Sequence, residues 1–246
     1  KMNILLVAFA VGLLLPAVII FMKENMDTKV RGRKDLESLS VPLIGEIPQC
    51  PGTKRKWQLK KRQKINTIVV SEGNRNIINE AFRVLRSNMD FMAGKDSSQN
   101  VFVLTSFNPG SGKSFLALNI AMSFAIKKKR ILVIDGDLRH GTTSSYIDSP
   151  GKGLSDYLNN QIKDWKEIVV PHKEYENLHF IPIGTVPPNP TEILEDSKLA
   201  ELIAALRPEY DYIFIDCPPV DIVADAQIIE KLADRTIFVV RSGLLD

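Results

Sequence analysis

Eight consecutive residues, Phe107-Asn108-Pro109-Gly110-Ser111-Gly112-Lys113-Ser114, concentrate the chemistry of this 246-residue chain. Glycines at 110 and 112 free the backbone to turn successive N–H groups toward one concavity, a nest for an anion. A helix starting at Lys113 adds the positive end of its dipole at the same place. In a loop of this type Lys113 reaches the β- and γ-phosphates of a nucleotide, and the Ser114 hydroxyl ligates Mg²⁺. One position departs from the G-x-x-x-x-G-K-[ST] pattern: Phe107 stands where the first glycine belongs. A ligand-free Gly-rich turn would seldom match by chance, because this one also follows an apolar run and opens a helix.

Two further segments end in acids. Ile131-Leu132-Val133-Ile134-Asp135-Gly136-Asp137-Leu138-Arg139 closes one apolar run, and Tyr212-Ile213-Phe214-Ile215-Asp216-Cys217-Pro218-Pro219 closes another. Open parallel sheets bind ligands at the carboxyl ends of their strands, where all three Asp residues fall. Mg²⁺ takes one or two carboxylates and keeps several waters. Asp216 is the expected water-mediated partner of the metal. Asp135 and Asp137 can help to hold it or accept a proton from an attacking hydroxyl. The metal set is Ser114, Asp135 and Asp216, and the catalytic set Lys113, Asp135, Asp137 and Asp216. A lone Asp at a strand end is better read as a turn cap; three beside a phosphate loop are not.

The elements that must position these residues alternate. Strands are expected at 100–106, 130–134, 178–183, 212–216 and 236–240, and helices at 114–126, 197–206 and 224–232. The strand segments are continuous Val- and Ile-rich runs, the pattern of burial on both faces. Strands alternating with helices imply an α/β fold, a doubly wound and mostly parallel sheet. Before it, residues 79–91 place Ala81, Phe82, Leu85 and Met89 at helical spacing.

The chain opens differently. From Met2 to Met22 no residue is charged, and a helix of that length spans about 30 Å, the thickness of a bilayer's hydrocarbon core. Pro16 is tolerated in membrane helices. Lys23, Lys29, Arg31, Arg33 and Lys34 follow, and positive flanks stay in the cytoplasm. A signal peptide would carry its basic residues first. Residues 1–23 are therefore expected to be a transmembrane helix with the rest of the chain on its cytoplasmic side. Residues 24–75 would be a cytoplasmic linker whose 41–49 segment docks as a strand, and residues 76–246 the phosphate-loop domain. Because the chain enters the apolar run after one residue, it is expected to be the end of a longer protein. Lys54-Arg55-Lys56, Lys60-Lys61-Arg62 and Lys64 are either a solvated linker or an attraction to anionic headgroups. A net charge of +3 does not argue for nucleic acid, so no such partner is expected. Cys50 and Cys217, far apart, fit a reducing compartment.

Five segments together resemble bacterial tyrosine kinases, the cytoplasmic domains of polysaccharide co-polymerases. The phosphate loop resembles that family's deviant Walker A motif, Ile131–Arg139 its A′ motif and Asp216-Cys-Pro-Pro its B motif. Glu80-Ala-Phe-Arg83-Val-Leu-Arg86 is similar to its Glu-x-x-Arg-x-x-Arg oligomerisation helix. Gly184-Thr-Val-Pro187-Pro188-Asn189-Pro190-Thr-Glu192 is similar to its Gly-x-x-Pro-Pro-Asn-Pro-x-Glu turn. On spacing alone Glu80, Arg83 and Arg86 would be a surface stripe of ion pairs; the resemblance favours an interface.

The resemblance implies phosphoryl transfer from Mg-ATP to tyrosines in a C-terminal cluster on a neighbouring subunit of a ring, in the control of capsule or exopolysaccharide production and export. It assigns Lys113 to the transferred phosphoryl group, Ser114 and Asp216 to the metal, Asp135 to the incoming tyrosine hydroxyl and Asp137 to support of Lys113 and the metal. The nucleotide would be held by Pro109, Gly110, Ser111, Gly112, Lys113, Ser114 and Phe115, and Arg139 would either hold the loop or reach a phosphate. The tyrosine cluster is expected beyond Asp246. Two rival readings share the loop: a partitioning or division-site ATPase switch, which carries Lys where Asn108 stands, and an ATP-binding scaffold without kinase activity.

Overall fold

The computed structural model describes residues 2–25, 29–37, 40–49, 68–93, 99–148, 150–220 and 224–245. The basic stretch at 54–64 and Cys50 lie outside them. The chain divides into two compact units, Lys1–Ser40 with Arg241–Asp246, and Val41–Val240.

The smaller unit holds α1 (Met2–Asn25) and α2 (Arg33–Leu36). Its two chain segments pair through Val30, whose N–H donates to the Leu245 carbonyl (2.9 Å) and whose carbonyl accepts from Gly243 N–H (2.8 Å). The helix expected at Met2–Met22 is present, with Pro16 inside it. Among the described residues no helix is long and apolar enough to cross a membrane.

In the larger unit the chain runs through α3 (Ile77–Ala93), β1 (Val101–Thr105), α4 (Lys113–Ala125), β2 (Ile131–Asp135), α5 (Leu154–Leu158) and β3 (Val170–Pro171). It continues through β4 (Leu178–Ile181), α6 (Pro190–Glu195), α7 (Ser197–Leu206), β5 (Tyr212–Asp216), α8 (Asp225–Glu230) and β6 (Arg235–Phe238). The six strands lie in the order β3-β4-β2-β5-β1-β6. All neighbours are parallel except β3 and β4. Side chains alternate across the sheet. Val101, Val103, Leu132, Ile134, Ile213 and Ile215 pack with α5–α8. Phe102, Leu104, Ile131, Val133 and Phe214 pack with α3 and α4. This is the doubly wound sheet that continuous apolar strands imply.

Where the structure differs from the expectation, tertiary contacts are the cause. The last strand, expected at 236–240, runs from Arg235 to Phe238, starting one residue early and ending two residues short, and its edge position leaves Phe238 exposed. The 41–49 segment docks, but as irregular chain: Asn88 Nδ2 donates to the Ile44 carbonyl at 2.7 Å, and Gly45 lies against Leu85. Residues 68–71 are held by two buried asparagines. Asn119 Oδ1 accepts from Val69 and Val70 N–H, and Asn79 Oδ1 accepts from Ser71 N–H.

Candidate active site

The phosphate loop leaves β1 and enters α4 at Lys113. Gly110 and Gly112 adopt φ of 74° and 96°, the left-handed region that only glycine enters at little cost. Gly112 caps α4 in that conformation. Ser111 Oγ donates to the Asn108 carbonyl at 2.7 Å, closing the turn. Phe107, at the departing position, is exposed. The β5 extension runs beside the loop's base: Cys217 N–H donates to the Leu104 carbonyl, Val220 N–H to the Ser106 carbonyl, and Thr105 Oγ1 to the Pro218 carbonyl. Lys113 is buried, with 9% of its surface exposed.

The strand-end acids gather at the same edge of the sheet. Asp135 and Asp216 are register partners across β2 and β5, and strands in a sheet lie about 4.8 Å apart. Both are buried. Asp135 Oδ2 accepts from Ser144 N–H (2.6 Å) and Ser144 Oγ (2.7 Å). Burial, then the charge of Asp216, pushes the Asp135 carboxyl up to about 7, while the Ser144 hydrogen bonds pull the other way. Asp216 Oδ2 accepts from Thr143 Oγ1 at 2.6 Å. Burial raises the Asp216 carboxyl also, opposed by hydrogen bonds from Ser114 and Thr143 and by the Lys113 charge. Its Oδ1 is buried without a hydrogen-bond partner. Such an acceptor normally finds water, a donor or a cation, so the site fits a metal or its bound water. Among the described residues no group of three His, Cys, Asp or Glu side chains could hold a metal ion. A cation here would take its other ligands from Ser114, phosphate and water, the manner of Mg²⁺.

Asp137 is placed differently. Its Oδ1 accepts from the backbone N–H groups of Arg139 (3.3 Å) and His140 (3.2 Å), and its carboxylate lies 3.2 Å from His140 Nδ1. It caps the turn after β2. Arg139 lies beyond that turn, where its guanidinium pairs with Asp225 and Thr191. Sequence reasoning missed Thr143, Ser144, Thr191 and Asp225. The only trace of the first two is the hydroxyl run Thr142–Ser145, with nothing to say which members turn inward.

The Gly184–Glu192 turn packs close by. Gly184 has φ of 74°, and a Cβ there would collide with Asp156 Oδ2 and the Gly153 backbone. Asn189 Nδ2 donates to Glu192 Oε2 at 2.6 Å. The three α3 charges do not act alike. Arg83 pairs with Glu80 and donates to the Asn74 carbonyl, whereas Arg86 donates to the Ser123 carbonyl of α4 at 2.7 Å. Tyr210 and Tyr212 are buried, as their strand-entrance position implies, and burial pushes the Tyr210 hydroxyl up to about 12.

A glycine-capped loop on a parallel sheet, with acid-ended neighbouring strands, defines the class: a P-loop nucleotide-binding fold. A family model described as an AAA domain matches residues 99–242. The putative tyrosine-protein kinase CapB of Staphylococcus aureus is 34% identical over 182 residues, 74% of this chain and 78% of CapB. The putative tyrosine-protein kinase AmsA of Erwinia amylovora is 32% identical over 255 residues, 97% of this chain but 34% of AmsA. The chain thus spans about a third of the length of the longer curated relatives it matches. The kinase domain of Escherichia coli tyrosine kinase ETK superposes with a TM-score of 0.77 at 26% identity, over 87% of this chain and 83% of that one. The septum site-determining protein MinD complexed with Mg-ADP, from Pyrococcus horikoshii OT3, reaches 0.50 at 25% identity over 57% of each chain. The chain belongs to the bacterial tyrosine-protein kinases.

Proposed function

We propose that this chain carries the phosphoryl-transfer centre of a membrane-attached protein-tyrosine kinase that serves capsular or exopolysaccharide synthesis and export. The carrying observation is the buried Asp135–Asp216 pair beside the phosphate loop, with Asp135 pushed up to about 7. A base is most effective when its pKa lies near the working pH. The tyrosine oxygen attacks the γ-phosphorus of ATP, the bond to the β–γ bridging oxygen breaks, ADP departs, and Asp135 takes the phenolic proton. Lys113 offsets charge on the transferred phosphoryl group, and the N–H groups of residues 110–115 hold the phosphates. Mg²⁺, held by Ser114 with Asp216 and Asp135 behind it, would supply charge that neutralises the β- and γ-phosphate oxygens. Asp137 keeps the turn after β2 in place.

Further assignments rest on the uncharged N-terminal run and on the resemblance to the bacterial tyrosine kinases. The 21 uncharged residues Met2–Met22 anchor the chain in the bacterial inner membrane, with the kinase domain on the cytoplasmic side. The acceptor is a C-terminal tyrosine cluster, on the same or a neighbouring subunit of a homo-oligomeric ring joined through the Glu80/Arg83 face.

The rival ATPase switch is less well supported, because the superposition on MinD stops at 57% of the chain while that on ETK reaches 87%. Incubating the full-length protein with Mg-ATP and probing for phosphotyrosine separates the readings. Phosphotyrosine that disappears in Asp135→Ala supports the kinase. ATP hydrolysis without phosphotyrosine makes the chain a switch, and ATP binding without either makes it a scaffold.

A further inference from the structure

We propose that Arg139 is a positioning residue: with Asp225 and Thr191 it latches the loop after β2 onto the first turns of α6 and α8, instead of contacting a phosphate. The inference rests on the kinase reading but concerns residues outside its reacting groups.

The geometry is a closed triangle. Arg139 Nε donates to Asp225 Oδ2 at 2.9 Å, and Nη2 lies 3.4 Å from Asp225 Oδ1. Nη2 also donates to Thr191 Oγ1 at 3.0 Å, and that hydroxyl donates to Asp225 Oδ1 at 2.7 Å. The three residues lie far apart in the chain, and each comes from a different element.

Burial decides between the two roles open to Arg139. The Asp225 side chain is 1% exposed and that of Arg139 36%. A buried carboxylate whose cation leaves is an uncompensated charge, and breaking such a pair is far more costly than losing a surface one. Turning Arg139 toward a phosphate would strand Asp225 in this way. The two-point, planar approach also suits a guanidinium and not an ammonium.

What the latch holds is the site. Arg139 N–H donates to Asp137, and the same loop then delivers Thr143 to Asp216 and Ser144 to Asp135. One fixed point at Arg139 therefore constrains the hydrogen bonds of all three strand-end acids. Small misplacement of reacting groups is enough to cost roughly 100-fold in rate. Thr191 belongs to the Gly184–Glu192 turn, so the latch also gives that turn a route to the catalytic edge.

The test uses the full chain with Arg139→Ala, Arg139→Lys, Asp225→Asn, Thr191→Val, Thr191→Ser and the pair Arg139→Ala/Asp225→Asn. Three readouts are taken: tyrosine phosphorylation rate, Mg-ADP affinity by calorimetry and amide exchange over 137–144. A latch predicts that Arg139→Ala and Asp225→Asn each lower kcat by roughly tenfold or more. Mg-ADP affinity should move less than about twofold, and the 137–144 amides should exchange faster. The pair should be no worse than Arg139→Ala alone. Thr191→Ser should keep the rate that Thr191→Val loses, and Arg139→Lys should recover only part. Weaker Mg-ADP binding in Arg139→Ala with normal binding in Asp225→Asn would overturn the latch in favour of a phosphate contact. Unchanged rates and exchange in Arg139→Ala and Asp225→Asn would reduce the triangle to a surface ion pair. A wild-type chain that makes no phosphotyrosine defeats the kinase reading alone, since exchange and affinity still report on the latch.

Discussion

Asp135 and Asp216 stand opposite one another where β2 and β5 end, and each takes its shortest hydrogen bond from a neighbouring residue of one loop, Ser144 and Thr143 respectively. Two buried carboxylates so placed repel, and burial penalises the charge of both. The loop's donors and Lys113 offset part of that cost. The arrangement stores unfavourable charge where a phosphoryl-transfer site would use it.

Stability should accordingly fall with rising pH in the nucleotide-free protein. Asp135 has a folded pKa of about 7 against an ordinary value of 3.8. Between those values the folded state binds more protons than the unfolded one, so stability is fully present below pH 3.8 and drains away as pH rises through 7. Asp135→Asn should flatten this slope. Denaturant midpoints of both proteins from pH 4 to 8 check it, and parallel curves would mean that Asp135 stays charged when buried. Phosphorylation should show the opposite trend, rising as Asp135 loses its proton.

Lys113→Met should abolish nucleotide-dependent phosphorylation. Because Lys113 is buried near Asp216, the substitution also removes a charge that favours the Asp216 carboxylate. The variant should still fold, with circular dichroism like the wild type, and bind Mg-ADP weakly. Wild-type phosphotyrosine in this variant would remove Lys113 from the site.

Thr143→Val keeps the shape and removes the donor to Asp216 Oδ2. A buried acceptor left unmade costs about 1–3 kcal/mol. Loss of that order in urea unfolding is expected at pH 7, together with a higher Mg²⁺ requirement. Thr143→Ser should restore both.

The sheet and the phosphate loop were legible in the sequence because their signals are local. Buried strands read as unbroken apolar runs, and a loop needing positive φ twice carries glycine twice. The short elements were not legible. The five residues of α5 are held by Asp156, which binds Gly153 and Thr185 N–H groups, a contact that spans 29 residues. Strand β3 has two residues and exists only as a partner of β4. The partner of Arg139 lies 86 residues away, so the chain alone offered two roles for that side chain and nothing to choose between them. Arg86 looked equivalent to Arg83, and only the approach of α4 distinguishes them.

That distinction shapes the prediction for assembly. Replacing Glu80, Arg83 and Arg86 together would confuse two effects. Arg86 donates to the Ser123 carbonyl at 2.7 Å across the α3–α4 packing, and burial lowers its pKa from the ordinary value. Arg86→Ala should therefore destabilise the fold by about 1–3 kcal/mol, as expected when a buried acceptor loses a charged donor. Glu80 and Arg83 are half exposed and pair mainly with each other, and an exposed pair contributes at most about 1 kcal/mol. Glu80→Ala/Arg83→Ala should thus leave the melting temperature nearly unchanged. In a ring the same two charges would be desolvated against a neighbour, where losing them costs more. The double variant should then be monomeric by light scattering, bind Mg-ADP normally and fail to phosphorylate tails on other subunits. An oligomer that survives Glu80→Ala/Arg83→Ala would return these residues to a solvated stripe on α3.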